Sequence, residues 1–176
     1  MRRVSVVGNA GSGKTRLAKE LAARLRVPHV ELDAIFHQPN WTPLPTEQFR
    51  QRVAEVTAVD GWVVDGNYSS VRDLVWHRAD TVIWLDLPRA AVMRQVVGRT
   101  LRRVASGQEL WNTNRESWRT LFDRDESIVS WAWNNHAKYR SRYAAAVQDP
   151  KYGHLAFIRL GSRPEIDRFV RSSWPA

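Results

Sequence analysis

The chain has 176 residues, a formal net charge of +9 and a sequence pI of about 10.7, and it contains no cysteine, which excludes disulfides, thiolate metal sites and a cysteine nucleophile. The length suits a single domain, 1–176, with a sizeable core. No apolar run reaches the roughly 18 residues that a membrane-spanning helix needs, and the first predicted strand begins almost at Met1, so we expect a cytoplasmic protein without a signal peptide or membrane association.

The first predicted elements are a strand, a glycine-rich loop and a helix. Residues 3–7 (RVSVV) are apolar and β-branched, which predicts a buried strand. Leu17, Leu21 and Leu25 recur every four residues and predict an amphipathic helix. The stretch between them, GNAGSGKT, matches G-x-x-x-x-G-K-[ST], a loop whose backbone N–H groups cradle phosphates beside a helix N-terminus. The residues expected to bind the nucleotide in this loop are Gly8, Asn9, Ala10, Gly11, Ser12, Gly13, Lys14 and Thr15.

Two side chains at the end of this loop have specific expected roles. Lys14 supplies a compact cation for the β- and γ-phosphates, and the Thr15 hydroxyl is an expected Mg²⁺ ligand. The predicted cofactors are therefore ATP and Mg²⁺. The alternative is a decayed loop that binds nothing, and the flanking strand and helix count against it.

The second predicted strand, 29–32 (HVEL), leads into a proline-rich segment, 33–45, that is predicted to be irregular. Asp33 directly follows the strand, where it either accepts a proton from an acceptor molecule, or positions that molecule, or caps a short helical turn. Trp41 in the same segment either closes over a substrate ring or anchors the loop in the core. Thr46 is the predicted N-cap of the next helix.

The third and fourth predicted strands are 62–65 (WVVD) and 81–88, with a short helix at 69–77 between them. Asp65 ends the third strand and precedes Gly66. It is either an Mg²⁺ ligand, acting through water, or the first residue of an Asp-Gly turn. We favour the metal ligand, because the carboxyl ends of parallel strands are where ligands of such sheets bind.

The rest of the chain is predicted to contain a long helix, a polar stretch and a final strand. The polar stretch, 107–122, carries both aromatic and arginine side chains. The apolar stripe of the long helix, 89–105, consists of Met93, Val97, Leu101 and Val104. The later predicted elements are a helix at 127–147, a strand at 154–160 and a helix at 164–171. Strands that alternate with helices, each strand an apolar run, predict a parallel sheet covered on both faces.

Four stretches together resemble the P-loop kinases of the adenylate kinase and shikimate kinase type: GNAGSGKT, VELDAIF, GWVVDGNY and IWLDLPRAAVMRQVVGR. The resemblance implies an α/β fold of the P-loop NTPase class, a three-layer sandwich with a five-stranded parallel sheet in the order 2-3-1-4-5 and a short lid. The segments LDAIF, P-x-W-T-P, W-x-x-D-G-N-Y and E-L-W-N-x-N-R-E are similar to those of small, adenylate kinase-related proteins labelled "DNA topology modulation protein".

The resemblance also implies roles for particular segments and residues. The acceptor-binding segment is expected at about 33–60 and the lid at about 106–126. The lid arginines expected to close on the transferring phosphoryl group are Arg99, Arg115 and Arg119. Arg163 follows the fifth strand, where it either lies against the adenine ring or is a surface residue. Asn67-Tyr68-Ser69 stands where adenylate kinases have F-P-R, so an arginine that contacts the acceptor in that family is absent.

Two classes of function are consistent with the sequence. The first is an ATP-dependent phosphotransferase with a catalytic set of Lys14, Asp33 and the lid arginines, acting on a small acceptor, with nucleotides and nucleosides among the candidates. The second is an ATPase or ATP-binding regulator that contacts DNA through its basic surface. Only four of the 27 basic residues are lysines, and the arginines are spread along the chain. This favours a pocket built for phosphates over a nucleic-acid surface, and a general compositional bias toward arginine is the third alternative.

Overall fold

The computed structural model describes residues 1–107, 109–114 and 127–172. Within these ranges five strands form one sheet in the order β2-β3-β1-β4-β5, and every neighbouring pair is parallel. The predicted strand order is therefore confirmed. The strands are β1 Arg3–Gly8, β2 His29–Glu31, β3 Trp62–Asp65, β4 Thr81–Leu85 and β5 Ala156–Leu160.

Helices connect the strands and lie on both sides of the sheet. None of the helices in the described ranges is long and apolar enough to cross a membrane. The α-helices are α1 Lys14–Leu25, α2 Leu32–Phe36, α3 Thr46–Val56, α4 Ser69–Arg78, α5 Arg89–Ser106, α6 Ile128–Gln148 and α7 Arg163–Ser172. Short 3₁₀ turns are Pro39–Trp41, Trp111–Thr113 and Pro150–Tyr152.

Two apolar clusters bury the two faces of the sheet. In β1, Val4 and Val6 point to the cluster that contains α1, α5 and α7, whereas Val7 points to the cluster that contains α3 and α4. Helix α6 contributes to both, with Ala132 in the first cluster and Tyr143 in the second. A parallel sheet covered in this way needs strands that are apolar on both faces, which explains the continuous apolar runs in the sequence.

The strand register gathers the candidate site residues at one edge. Val6 of β1 pairs with Asp65 of β3, and Glu31 of β2 pairs with the same Asp65. Gly8, where the phosphate-loop motif begins, lies opposite Leu85 at the end of β4. The carboxyl ends of β1, β2 and β3 therefore meet beside the loop, at the edge where parallel sheets bind ligands.

The segment after β2 is more regular than predicted. It begins with the short helix α2 and continues into the 3₁₀ turn Pro39–Trp41. Helix α3 begins at Thr46 itself, with Pro45 at the N-cap position, so the predicted Thr46 N-cap is wrong. Proline restricts φ to a value that suits a helix entry and lacks one of the N–H groups that the first turn leaves unpaired.

The predicted apolar stripe of α5 is also wrong. The buried residues are Val92, Val96 and Thr100, whereas Val97 and Leu101 are 38% and 42% exposed. Apolar residues stand side by side at 92–93 and 96–97, so the helix has two adjacent apolar faces. Packing against α1, α6 and the sheet determines which of the two faces is buried. The spacing of apolar residues along the helix does not predict this.

Candidate active site

The loop Gly8–Thr15 joins β1 to α1 and exposes the N-terminus of that helix. Gly13 is the N-cap residue of α1, in the left-handed region with φ of 93°, and it has no side chain to cap the helix. The first-turn N–H groups of α1 are thus available for an anion. Gly8 is required for a different reason, because a Cβ atom there would lie 2.6 Å from the carbonyl oxygen of Leu85.

Asn67 holds the start of this loop. Its Oδ1 accepts a hydrogen bond from the Gly8 N–H at 3.2 Å, and its Nδ2 donates to the Gly8 carbonyl at 2.5 Å. The Tyr143 hydroxyl on α6 donates to the same Oδ1 at 2.9 Å. Asn67 comes two residues after β3, so a single side chain fixes the phosphate loop against a neighbouring strand end and a distant helix.

Asn9 holds the middle of the loop. Its Nδ2 donates to the Ala132 carbonyl of α6 at 2.7 Å, and its Oδ1 accepts from the Ala10 N–H at 2.9 Å. The Asn9 carbonyl accepts from the Ser12 N–H at 3.2 Å and from Lys14 Nζ at 3.0 Å. The loop therefore has its shape before any ligand binds, which lowers the entropic cost of binding phosphates.

Four charged side chains surround the ammonium group of Lys14. Burial lowers the pKa of Lys14 below its ordinary value of 10.5, Asp33 and Asp65 oppose that shift, and the Arg99 guanidinium adds to it. Glu31 is the fourth group, and it also opposes the shift. The fold thus brings Lys14, Asp33, Asp65 and Arg99 together from four different elements. A bound polyphosphate would offset the burial of the ammonium group and raise its pKa again.

Asp65 is buried, and only part of its hydrogen-bonding capacity is used. Its Oδ1 lies 3.6 Å from His29 Nε2, whereas its Oδ2 has no hydrogen-bond partner among the described residues. An Asp-Gly turn would occupy a carboxylate oxygen with a backbone N–H, so this geometry counts against the turn alternative. An unpaired buried oxygen next to the phosphate loop is suited to a cation or its water ligands.

The donor set around Asp65 fits Mg²⁺ held largely by the nucleotide. No group of three or more His, Asp or Glu side chains in the described parts of the chain could hold a metal ion by itself. Thr15, in the first turn of α1, supplies the predicted hydroxyl ligand. In proteins Mg²⁺ keeps several water ligands and binds one or two protein oxygens together with phosphate oxygens. The Thr15 hydroxyl and the Asp65 carboxylate would supply those protein oxygens.

Asp33 lies inside α2 and is held by a tyrosine. The N-cap residue of α2 is Glu31, so the capping alternative for Asp33 is wrong. The Tyr68 hydroxyl donates to Asp33 Oδ1 at 2.6 Å and lies 3.3 Å from His37 Nε2. Burial, together with the Asp33 carboxylate, raises the pKa of Tyr68 far above its ordinary value, so this hydroxyl stays protonated and donating. Among the described residues, the hydrogen bond to Asp33 is made at Oδ1.

The remaining predicted residues fall into two groups. Arg163 begins α7, and its Nη1 lies 3.3 Å from the position that a Cβ of Gly13 would occupy, so the guanidinium reaches the phosphate loop. Arg115 and Arg119 lie outside the described residues, as does most of the predicted lid. The roles of all these arginines, like the role of Arg99, stay predictions.

Sequence reasoning missed two polar residues that shape this edge, Asn67 and Asp86. Asp86 directly follows β4, is buried, and accepts hydrogen bonds from Arg159 Nε and Nη2 at 2.9 and 2.5 Å. Arg140 Nε on α6 lies 3.3 Å from the same oxygen. A predicted fourth strand that ended at Leu85, as the structure has it, rather than at residue 88 would have placed Asp86 at the carboxyl end of a buried strand, as Asp65 is.

Comparison with solved structures gives shikimate kinases as neighbours. The shikimate kinase from Bacteroides thetaiotaomicron is 16% identical, with 97% of this chain and 94% of that chain covered and a TM-score of 0.55. The shikimate kinase from Acinetobacter baumannii, solved in complex with shikimate, is 14% identical, with coverage of 97% and 89% and a TM-score of 0.58. The chain has the fold of the shikimate kinases.

At these identities the likeness establishes the α/β fold of the P-loop kinases. No protein-family model matches the chain, and no curated protein matches it. The chemistry must therefore be argued from the side chains that this chain itself places at the edge of the sheet.

Proposed function

We propose that this protein is an ATP-dependent phosphotransferase that moves the γ-phosphate of ATP to a hydroxyl group of a small acceptor. The observation that supports this most directly is the meeting of Lys14, Asp33, Asp65 and Arg99 in one electrostatic environment beside the uncapped N-terminus of α1. Phosphoryl transfer asks a protein mainly to position the reactants and to neutralise charge, and this set of groups can do both.

On the phosphate side, the backbone N–H groups of Gly8–Thr15 and the Lys14 ammonium bind the β- and γ-phosphates. Thr15 and Asp65 would hold Mg²⁺, Asp65 through water, and the bound ion would supply positive charge that neutralises the phosphates. Arg163, whose guanidinium reaches the phosphate loop at Gly13, contacts the adenine ring in this proposal. Arg99, together with Arg115 and Arg119 of the predicted lid, neutralises the charge of the phosphoryl group during its transfer.

On the acceptor side, the oxygen of the acceptor hydroxyl bonds to the γ-phosphorus. Asp33 accepts the proton that this hydroxyl loses. The bond between that phosphorus and the oxygen bridging to the β-phosphate breaks, and ADP leaves with that oxygen. The Tyr68 hydroxyl holds Asp33 Oδ1, so the other oxygen of the carboxylate is oriented toward the acceptor. Because this hydrogen bond already orients the Asp33 carboxylate, the carboxylate does not have to rotate before it accepts the proton.

The test is a transfer assay with radiolabelled Mg·ATP against nucleosides, nucleoside monophosphates and small hydroxyl metabolites. We expect at least one acceptor to be phosphorylated, and we expect Asp33→Asn to reduce that transfer at least a hundredfold while ATP affinity stays within about twofold. Asp149→Asn, at an exposed position directly after α6, is the matched control and should behave as the wild type. Brisk ATP hydrolysis without an acceptor, equal in wild type and Asp33→Asn, would contradict the proposal and favour the ATPase alternative.

A further inference from the structure

His37 lies at the end of α2, four residues after Asp33 and on the same side of the helix. The His37 N–H donates to the Asp33 carbonyl at 3.0 Å, and the His37 carbonyl accepts a hydrogen bond from Asn112 Nδ2. The backbone of His37 is therefore held at both of its polar groups. This fixes the direction in which the imidazole leaves the chain.

Three aromatic rings hold the imidazole of His37 in place. Phe36 and Trp41 meet it edge-on, with ring centroids 5.1 and 5.3 Å from its own, and Trp111 lies nearly parallel to it at 6.0 Å. These contacts restrict the rotation of the imidazole about its side-chain bonds. Its Nε2 atom consequently stays next to the Tyr68 hydroxyl, 3.3 Å away.

The ring of Tyr68 is held in a similar way. Phe36 and Phe49 pack against it, with ring centroids 4.7 and 5.1 Å away. The Tyr68 hydroxyl oxygen lies 2.6 Å from Asp33 Oδ1, a distance typical of a hydroxyl that donates to an ionised oxygen. The freedom that remains is the rotation of the O–H bond, which decides whether its hydrogen faces Asp33 or His37.

The number of hydrogens shared by these three groups decides their directions. A tyrosine hydroxyl can donate one hydrogen bond, and an ionised carboxylate can only accept. Since Asp33 must be ionised to accept a proton from the acceptor, the Tyr68 hydroxyl donates to Asp33. The Tyr68 oxygen then presents lone pairs to His37, so its contact with Nε2 is favourable only when Nε2 carries a hydrogen.

The other tautomer of His37 is disfavoured at both ring nitrogens. With the hydrogen on Nδ1, the lone pair of Nε2 would face the lone pairs of the Tyr68 oxygen. Nδ1 is buried and makes no hydrogen bond to the described part of the chain, so an N–H there would be unpaired. Burial lowers the pKa of His37 from its ordinary value of 6.5, and Asp33 opposes that shift, so above this pH the ring is neutral and carries one hydrogen.

We propose that His37 is a positioning residue for phosphoryl transfer: its Nε2–H binds the Tyr68 oxygen and keeps the single Tyr68 hydrogen on the Asp33 carboxylate. The inference rests on the proposed phosphotransferase function. A hydroxyl that accepts one hydrogen bond donates a stronger one, so His37 also strengthens the bond that orients Asp33. In this assignment His37 touches neither reactant and acts through Tyr68.

The first test locates the hydrogen on His37 by ¹H–¹⁵N NMR of the ligand-free protein, labelled at histidine, one pH unit above 6.5. His136 and His154 are internal references, because their Nε2 atoms face backbone carbonyls at 2.9 and 3.0 Å and must donate to them. The spectrum of His37→Gln identifies the signals of His37. We expect its Nε2 to carry the hydrogen, as in both references. A hydrogen on Nδ1 would overturn the assignment and leave the phosphotransferase function standing.

The second test is a double-mutant cycle on transfer from Mg·ATP to whichever of adenosine, AMP and shikimate the wild type phosphorylates fastest. Tyr68→Phe should lower kcat about tenfold and His37→Leu about fivefold, and both should leave KM for Mg·ATP within about twofold. In the Tyr68→Phe variant, His37→Leu should lower kcat by less than about twofold, because the hydroxyl that it acts through is absent. His37→Gln keeps an N–H near the position of Nε2 and should keep kcat within about twofold.

His77→Leu, which removes an exposed histidine from α4, is the matched control and should change none of these constants. Melting temperatures are measured for every variant. A full additional loss from His37→Leu in the Tyr68→Phe variant, or no recovery of kcat in a folded His37→Gln protein, would show that the ring acts by packing alone and would overturn the assignment. If His37→Leu does not fold, His37→Gln and the NMR result decide. Absence of transfer to all three compounds in the wild type would overturn the phosphotransferase function, and with it the role of His37.

Discussion

The amide of Asn67 should be the main side-chain restraint on the phosphate loop. Its three hydrogen bonds join the N–H and carbonyl of Gly8 and the hydroxyl of Tyr143. Each such bond contributes about 0.5 to 1.5 kcal/mol, and loss of the amide also leaves buried backbone groups of Gly8 unpaired. We therefore expect Asn67→Leu, which keeps the number and branching of the side-chain heavy atoms, to lower the free energy of unfolding by about 2 to 4 kcal/mol.

The assay is urea unfolding at constant pH without ligand, together with calorimetric titration of Mg·ATP. Tyr143→Phe removes one of the three hydrogen bonds and should cost about 1 kcal/mol. In the Asn67→Leu variant, Tyr143→Phe should lower the free energy of unfolding much less, because the Asn67 oxygen that accepts from the Tyr143 hydroxyl is already absent. Asn135→Leu is the matched control, since Asn135 makes a single hydrogen bond within α6.

The result for ATP separates a local restraint from general stability. If Asn67 shapes the loop, Asn67→Leu should weaken Mg·ATP binding about tenfold at temperatures where the variant is fully folded, about 1.4 kcal/mol. Equal unfolding midpoints for Asn67→Leu and Asn135→Leu would refute the reasoning. A large loss of stability with unchanged ATP affinity would show that the loop keeps its shape without this amide.

Three further predictions concern the charged groups. Lys14→Ala should weaken Mg·ATP binding at least tenfold in calorimetry, about 1.4 kcal/mol, whereas Lys19→Ala on the same helix should not. Asp65→Asn should leave the melting temperature without ligand nearly unchanged and strongly reduce Mg²⁺-dependent transfer; a large stability loss with normal metal dependence would contradict the metal role. Because the pKa of Lys14 is lowered in the folded state, Lys14 contributes stability that rises as the pH approaches 10.5, whereas the raised pKa of Tyr68 acts in the opposite direction. Urea unfolding should therefore show stability changing less favourably with rising pH in Lys14→Ala than in the wild type.

The sheet and the phosphate loop could be predicted because their signals are local. Each strand is a continuous apolar run, and the loop needs glycines at fixed places to turn and to approach β4 closely. The position of Asp65 beside Lys14 then follows from the strand order alone. These predictions require only the residue types within one element and the rule that ligands gather at the carboxyl edge.

The acceptor side could not be predicted in the same way, since its geometry depends on contacts between distant segments. Nothing local to Trp41 favours a left-handed backbone, and its conformation is explained only when Asn114 is seen to hold its N–H. The pairing of Tyr68 with Asp33 likewise joins residues 35 positions apart. In α5 the choice between two adjacent apolar faces is made by tertiary packing.

The turn after β3 links the two halves of the candidate site through consecutive residues. Asn67 binds the start of the phosphate loop, and Tyr68 binds the carboxylate of Asp33. Because Asn67 and Tyr68 are adjacent, a movement of this turn would affect both the phosphate loop and Asp33. The change from F-P-R to Asn67-Tyr68-Ser69 thus replaces a cation for the acceptor with two hydrogen-bonding side chains that position the protein's own groups.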